Sequence, residues 1–487
     1  MTKQNDVTHR FGILSVGGYL PRLRLDRAAV ANGHTWMAPG LRGLAKGART
    51  MANWDEDTVT MAVEASRAAI ATASEYAIAR LTLASTTLPF ADRMNAGIVA
   101  SALLLSGNCS AMDTSGSRRA GASALLRALQ TEQGCELVVA AERRIPTPAS
   151  TGELLAGDGA AAILVGEGDP LAILRGAAQT TVDFVDHFRE TGHDGDYGWE
   201  ERWVRETGYA TIIPPVIAQA LAEAGCTAEE IDVFVMPASL MRVNQIIAKK
   251  LSLRAETVAD PLFENVGDTG TAHPLLMLAN ALYSAAAGQK ILVVQFGSGC
   301  DAMVLERTTR PLPAKPTWMT VGRPENRYLK YLSFTGQIDL DWGMRAEMDN
   351  KTALSAAWRS VDMVQGFSGG RCSRCGTVQF PGSRICVNPE CGAVDTQSPH
   401  RLADESACIR SYTCDWLSYK QCPPFQFGHV EFESGARVLM EFTDSEPDEL
   451  TVGTPLRMLF RIKEVDPQRG FRRYFWKAAV QHNDKEV

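Results

Sequence analysis

Through residues 10–310 the apolar positions switch repeatedly between two rhythms. In residues 58–71, Val59, Ala62, Val63, Ala69 and Ile70 fall on one face of a helical repeat, which predicts a helix with one buried side. Residues 81–85 follow as a short apolar strand that runs into the Pro-containing loop Thr86-Thr87-Leu88-Pro89-Phe90. The order then returns. Residues 215–224 predict a helix, residues 231–235 a strand, and a second Pro-containing loop follows at Pro237.

Another pair of segments repeats in the same way. Residues 113–121 form a Gly-containing loop that opens a helix at 122–130 and leads to a strand at 137–141. Residues 264–270 likewise open a helix at 275–286 before a strand at 291–296. Both repeats keep the same order about 150 residues apart, which predicts an internal duplication. The expected architecture is an α/β layered fold in which each half supplies a mostly parallel sheet and the helix-opening loops meet between the halves.

Beyond Arg307 the rhythm breaks at Pro311, Pro313 and Pro316, a stiff linker by composition, and residues 318–360 read as a helical connector. Then come Cys372-Ser-Arg-Cys375 and Cys386-Val-Asn-Pro-Glu-Cys391, paired knuckles with the spacing C-x2-C-x10-C-x4-C. Two such knuckles bring four thiolates to tetrahedral positions around zinc in a closed structural site. From residue 408 to 480 short runs alternate apolar and polar residues, as in residues 436–442, which predicts a small β-barrel.

Composition sets limits. A chain of 487 residues implies two or three domains, and 45% hydrophobic with 22% charged residues excludes the disordered and fibrous classes. A net charge of −7 argues against broad nucleic-acid binding. The first residues lack a signal-peptide pattern and no stretch has the length of a membrane span, so a cytoplasmic protein without membrane association is expected. Of the 11 Cys, the seven outside the knuckles read as free thiols in a reducing compartment.

Candidate chemistry gathers where loops open helices, because exposed backbone N–H groups there hold oxyanions or lower a thiol pKa. In Thr114-Ser-Gly-Ser117-Arg118-Arg-Ala-Gly121 the candidates are Ser117 and Arg118, beside the plain reading of a helix start. In Gly267-Asp268-Thr-Gly-Thr-Ala-His273 the carboxylate of Asp268 suits an acid, a base or a cap, and His273 a general base or a core residue. The run Gly297-Ser-Gly-Cys300-Asp301 is a tight turn whose thiol reads first as a buried group. His187 and His193 are too irregularly spaced for a metal site, and their stretch reads as a pocket-rim loop.

Taken in order, Asn53-Trp-Asp-Glu-Asp57, residues 113–121, Gly157-Asp-Gly-Ala-Ala161, Gly267-Asp-Thr269 and Gly297-Ser-Gly299 resemble the 3-hydroxy-3-methylglutaryl-CoA (HMG-CoA) synthases and ketoacyl synthases III of the thiolase superfamily. The C-terminal part resembles DUF35 zinc-ribbon and OB-fold proteins. The resemblance implies a duplicated thiolase-like layered fold (αβαβα) over residues 1–166 and 167–310. A connector at 311–370, a zinc ribbon at 371–400 and an OB-fold at 401–487 complete it. It also implies a homodimer, an acyl-CoA substrate and a carbonyl co-substrate or product.

That family works with a Cys nucleophile, a Glu acid/base and a His. The matching positions hold Arg118, Thr86 and, at or near the His, Val235. Without the thiol, a covalent acyl-enzyme has no obvious carrier. The leading expectation is therefore a non-covalent aldol or retro-aldol step beside a CoA thioester. His273 and Asp268 would move protons, and Arg118 would stabilise negative charge. Acyl transfer, either direct or through another nucleophile such as Ser117 or Cys300, and a non-catalytic acyl-CoA-binding scaffold are the alternatives.

Overall fold

The helix Thr58–Ile70 starts where its sequence supplies a cap. The Asp57 carboxylate accepts from the N–H groups of Val59 and Thr60, while Thr60 Oγ1 accepts from the Asp57 N–H. In the computed structural model, residues 10–238, 240, 242–313, 315, 322–343, 351 and 353–482 are described. They fall into two compact units. The second comprises Asn53–Glu56, Ile98–Leu105 and the chain from Leu332 onward, and the first holds the remainder.

The first unit is built on nine strands. In sheet order they are Val233–Val235, Lys290–Phe296, Gly299–Arg307, Ala172–Thr181, Arg10–Tyr19, Gly159–Gly168, Glu136–Glu142, Arg80–Ala84 and Ser110–Thr114. The duplication is visible in the pairing. Arg80–Ala84 runs parallel to Glu136–Glu142, which is antiparallel to Gly159–Gly168, which is antiparallel to Arg10–Tyr19. In the other half Val233–Val235 is parallel to Lys290–Phe296, then antiparallel Gly299–Arg307 and antiparallel Ala172–Thr181 follow. The halves join at one pair, Ile13 with Ala172.

These ladders correct the expectation of mostly parallel sheets: each half is mixed. The reason is local in the second half, where Gly297, Ser298 and Gly299 reverse the chain so that Phe296 pairs with Cys300. Ser298 and Gly299 both take positive φ, at 47° and 120°, a geometry that favours glycine at such a turn.

Helices Ala120–Thr131 and His273–Ser284 pack on each other and on strands of both halves, forming the central layer. Helix Thr58–Ile70 covers the outer face of the first half and Ile213–Ala224 that of the second. Strand alternation feeds both cores: Ile291 and Val293 join the central cluster, Leu292 and Val294 the outer one. Each such fully buried aliphatic side chain stabilises by roughly 1.5–3 kcal/mol. The layers are therefore αβαβα, as the resemblance implies.

The second unit carries two further sheets. Val378–Gln379, Ser368–Cys372 and Gln397–Arg401 form a three-stranded sheet at the Cys knuckles. Arg437–Glu441, Phe425–Phe432, Ala407–Asp415, Pro455–Asp466 and Phe471–Val480 form an antiparallel sheet in that order. A bridge between Phe442 and Ala478 brings its two edges together, closing a barrel. The two modules are compatible with a zinc ribbon and an OB-fold. Ion pairs lie inside this unit: Lys477 Nζ is 2.9 Å from Asp55 Oδ2 and 3.2 Å from Glu441 Oε2. Arg461 Nη2 is 3.1 Å from Glu56 Oε1 and 2.9 Å from Asp444 Oδ2. Among the described residues, no helix is long and apolar enough to cross a membrane.

Candidate active site

The two helix-opening loops of the first unit meet between the halves, as the sequence predicts. Gly121 makes the approach possible, since a Cβ there would stand 2.4 Å from the Thr271 carbonyl oxygen. The Glu142 carboxylate ties the second of these loops to the Pro-containing loop that begins at Thr86. Its Oε1 accepts from Thr86 Oγ1 at 2.8 Å and its Oε2 from Thr271 Oγ1 at 2.9 Å.

This meeting sets Arg118 against Asp268, with Nη1 donating to Oδ2 at 2.9 Å. The same guanidinium donates from Nε to His187 Nε2 at 3.0 Å, and His187 Nδ1 lies 3.0 Å from Asp186 Oδ1. A neutral ring satisfies all of this, donating from Nδ1 and accepting at Nε2. Arg144 Nη2 stands 3.3 Å from that Nε2 and 3.0 Å from Asp196 Oδ2, and Arg189 also pairs with Asp196. Arg118, Arg144 and Arg189 are thus matched by Asp186, Asp196 and Asp268.

The electrostatics follow from burial and these neighbours. Burial disfavours the charged Asp268, but Arg118, His273 and Arg144 outweigh it and hold the carboxyl at about 2. Burial, then the charge of Arg118, push His187 below its ordinary 6.5, while Asp186 opposes the shift. Burial likewise works against charged Arg118, yet Asp268, Asp186 and Asp196 raise its pKa. A cavity of about 210 Å³ opens on this cluster, with Arg118, Arg144, Asp186, His187, Asp196 and Asp268 in its wall. No cysteine is among the described residues that line it.

Of the candidates named from sequence, Arg118 and Asp268 come together at the cavity. Ser117 stands behind them, its hydroxyl donating to the Gly297 carbonyl at 2.8 Å. His273 is a buried ring with both nitrogens engaged: Nδ1 accepts from the Thr269 N–H at 3.1 Å and Nε2 donates to the Pro261 carbonyl at 2.9 Å. It does not line the cavity, so the geometry gives it the core reading of its two alternatives. Cys300 is fully buried, and burial followed by the charge of Asp301 pushes its thiol far up. The stretch 186–194, read as a pocket-rim loop, contributes Asp186 and His187, and Asp196 follows just beyond it. Sequence reasoning missed these and Arg144, because only the fold brings them near Arg118.

Comparison with known proteins shows what the chain is similar to. The family described as 3-oxoacyl-[acyl-carrier-protein (ACP)] synthase III C terminal matches residues 221–306. The chain is 27% identical over 351 residues to the hydroxymethylglutaryl-CoA synthase of Methanosphaera stadtmanae, covering 68% of this chain and 99% of that protein. It is 28% identical to the hydroxymethylglutaryl-CoA synthase of Aeropyrum pernix, over 70% of this chain and 95% of that one. Among solved structures it is similar to 3-oxoacyl-(acyl carrier protein) synthase III, FabH, from Pseudomonas aeruginosa PAO1. The TM-score is 0.56 at 22% identity, with 62% of this chain and 99% of the other covered. A single-residue variant of OleA from Xanthomonas campestris gives 0.55 at 17%, covering 62% and 99%. The chain is similar in sequence to HMG-CoA synthases and shares the fold of the ketoacyl synthases III.

In the second unit, the Cys372, Cys375, Cys386 and Cys391 sulfurs lie within 4.8 Å of one another. The Cys372–Cys391 and Cys375–Cys386 separations are 3.9 and 3.5 Å. Tetrahedral zinc with bonds of about 2.3 Å sets its sulfurs roughly 3.8 Å apart, so the donor set fits that ion.

Proposed function

We propose that this protein makes or breaks a carbon–carbon bond next to a CoA thioester without forming an acyl-enzyme. The observation that carries the reading is the Arg118 guanidinium in the cavity wall, held by Asp268 and His187, at the position where the resemblance places the nucleophilic thiol. A guanidinium cannot carry an acyl group, but it can stabilise the negative charge of a thioester enolate in a site largely shielded from water. Asp268 keeps that guanidinium aimed. His273 keeps the Asp268 loop in shape through Thr269, and Ser117 braces the facing loop on Gly297.

The acyl-transfer alternative finds less support, because Ser117 is hydrogen-bonded to a backbone carbonyl and Cys300 is buried with a raised pKa. The reading includes an acyl-CoA substrate, a carbonyl partner, a homodimer and a structural zinc on Cys372, Cys375, Cys386 and Cys391, which would order the knuckles and take no part in the chemistry.

The test is product analysis. Purified protein is incubated with CoA thioesters plus aldehydes or ketones, and separately with 3-hydroxyacyl-CoA thioesters. Formation or cleavage of the Cα–Cβ bond is expected. Binding of acyl-CoA with no turnover in either direction would replace the reading by the scaffold alternative.

A further inference from the structure

We infer that Asp186 and His187 form the proton-transfer dyad of this site, with His187 Nε2 as the general base. The inference rests on the proposed aldol-type chemistry and adds the group that this chemistry needs. His187 is the ring placed for the task. It lines the cavity, its Nδ1–H is held by Asp186 at 3.0 Å, and its Nε2 lone pair points toward the Arg118 Nε–H, 3.0 Å away. A carboxylate on one imidazole nitrogen fixes the tautomer and stabilises the imidazolium that proton uptake creates.

The groups facing this ring come from several elements. Arg118 precedes helix Ala120–Thr131, Arg144 follows strand Glu136–Glu142, and Asp196 reaches the ring through Arg144 from the far side of the Tyr197–Gly198 and His187–Phe188 hairpin. Asp268 acts through Arg118. Burial and then the two guanidiniums beside the ring oppose its protonation, while Asp186 favours it, and the hydrogen bonds at both nitrogens are those of a neutral ring.

In the cleavage direction, the hydroxyl oxygen of a 3-hydroxyacyl thioester enters between Arg118 Nε and His187 Nε2. It accepts from the guanidinium and donates to the ring. The O–H proton passes to Nε2 as the Cα–Cβ bond breaks, and the C–O bond becomes C=O. The Cα–Cβ electron pair becomes the thioester enolate, stabilised by Arg118. After the carbonyl product leaves, the imidazolium returns the proton to Cα and acyl-CoA is released. Atoms and charge balance with no further reactant, and condensation is the reverse.

The experiment compares wild type, His187→Gln, Asp186→Asn and His187→Ala across pH on 3-hydroxyacyl-CoA thioesters, from 3-hydroxybutyryl-CoA to branched members. Circular dichroism verifies folding. The expected result is a loss of about 10²- to 10⁴-fold in kcat for His187→Gln at nearly unchanged KM, with the acidic limb of the profile abolished. Asp186→Asn should show a smaller loss with a displaced limb, and imidazole should partly restore His187→Ala. If the folded His187→Gln and Asp186→Asn variants keep wild-type kcat or the acidic limb while wild type is active, the dyad is refuted and the carbon–carbon reading stands. A wild-type protein inactive on the whole panel refutes both.

Discussion

Arg118 Nη1 lies 2.9 Å from Asp268 Oδ2, although the two residues stand 150 positions apart in the chain. Each belongs to a loop that opens a helix of the central layer, one in each half of the duplicated fold. The pair therefore depends on both halves packing correctly. Substituting Arg118 by Met should lower kcat by about 10²- to 10³-fold if the guanidinium stabilises developing charge, with KM changing little. A raised KM at constant kcat, measured on the same substrate, would instead assign Arg118 to ground-state binding.

His273 should behave as a scaffold residue. Replacing it with Ala should cost about 1–3 kcal/mol of stability by stranding the groups it satisfies, and should leave the shape of the pH–rate profile intact. Its pH linkage has a definite sign: burial, the largest influence, lowers its pKa from 6.5 in the folded protein. The unfolded chain then binds the proton more readily, so this ring's contribution to stability falls as pH drops below 6.5. Denaturant unfolding of wild type and His273→Ala between neutral and mildly acidic pH checks both statements.

The barrel should be acid-labile through Glu441. Burial opposes its charge, but Lys477, Lys463 and Lys420 win and hold it at about 2, against an ordinary 4.5. A depressed carboxyl stabilises fully above 4.5 and loses that contribution as pH falls toward 2. Replacing Lys477 by Met leaves Asp55 and Glu441 facing each other without their shared ammonium, which should cost about 3–5 kcal/mol. Thermal unfolding of the two proteins across acidic pH reads out both effects.

Metal analysis should find about one zinc per chain, because metal binding is part of the folding free energy of such a module. Changing Cys372 or Cys391 to Ser should lose the ion and lower the melting temperature of the C-terminal unit. Metal-free protein of normal stability would refute the assignment.

Much of this was legible in sequence where the signal is local. The helix at 58–71 emerges as Thr58–Ile70 with its Asp57 cap, and the Cys spacing alone picks out the sulfurs that cluster. The two helix-opening loops also revealed the duplication and Arg118 with Asp268. Strand direction was not legible, because alternating helices and strands suit a parallel sheet equally well, while the chain reverses between Glu136–Glu142 and Gly159–Gly168 and again at the turn Gly297–Gly299. His187 escaped for a related reason: its partner Arg118 is 69 positions away, and no periodicity marks such a contact. Asp55 and Glu56 look like surface charges before a helix, yet their counterions Lys477 and Arg461 come from strands of the barrel.

The measurement that bears most directly on the central claim is intact-protein mass spectrometry of samples quenched during turnover with an acyl-CoA substrate. A protein that works without a covalent intermediate stays at its unmodified mass while carbon–carbon product accumulates, and Ser117→Ala and Cys300→Ala retain much of the activity. An added acyl mass that forms and decays at the turnover rate, mapped by peptide fragmentation to Ser117 or Cys300, would contradict the account.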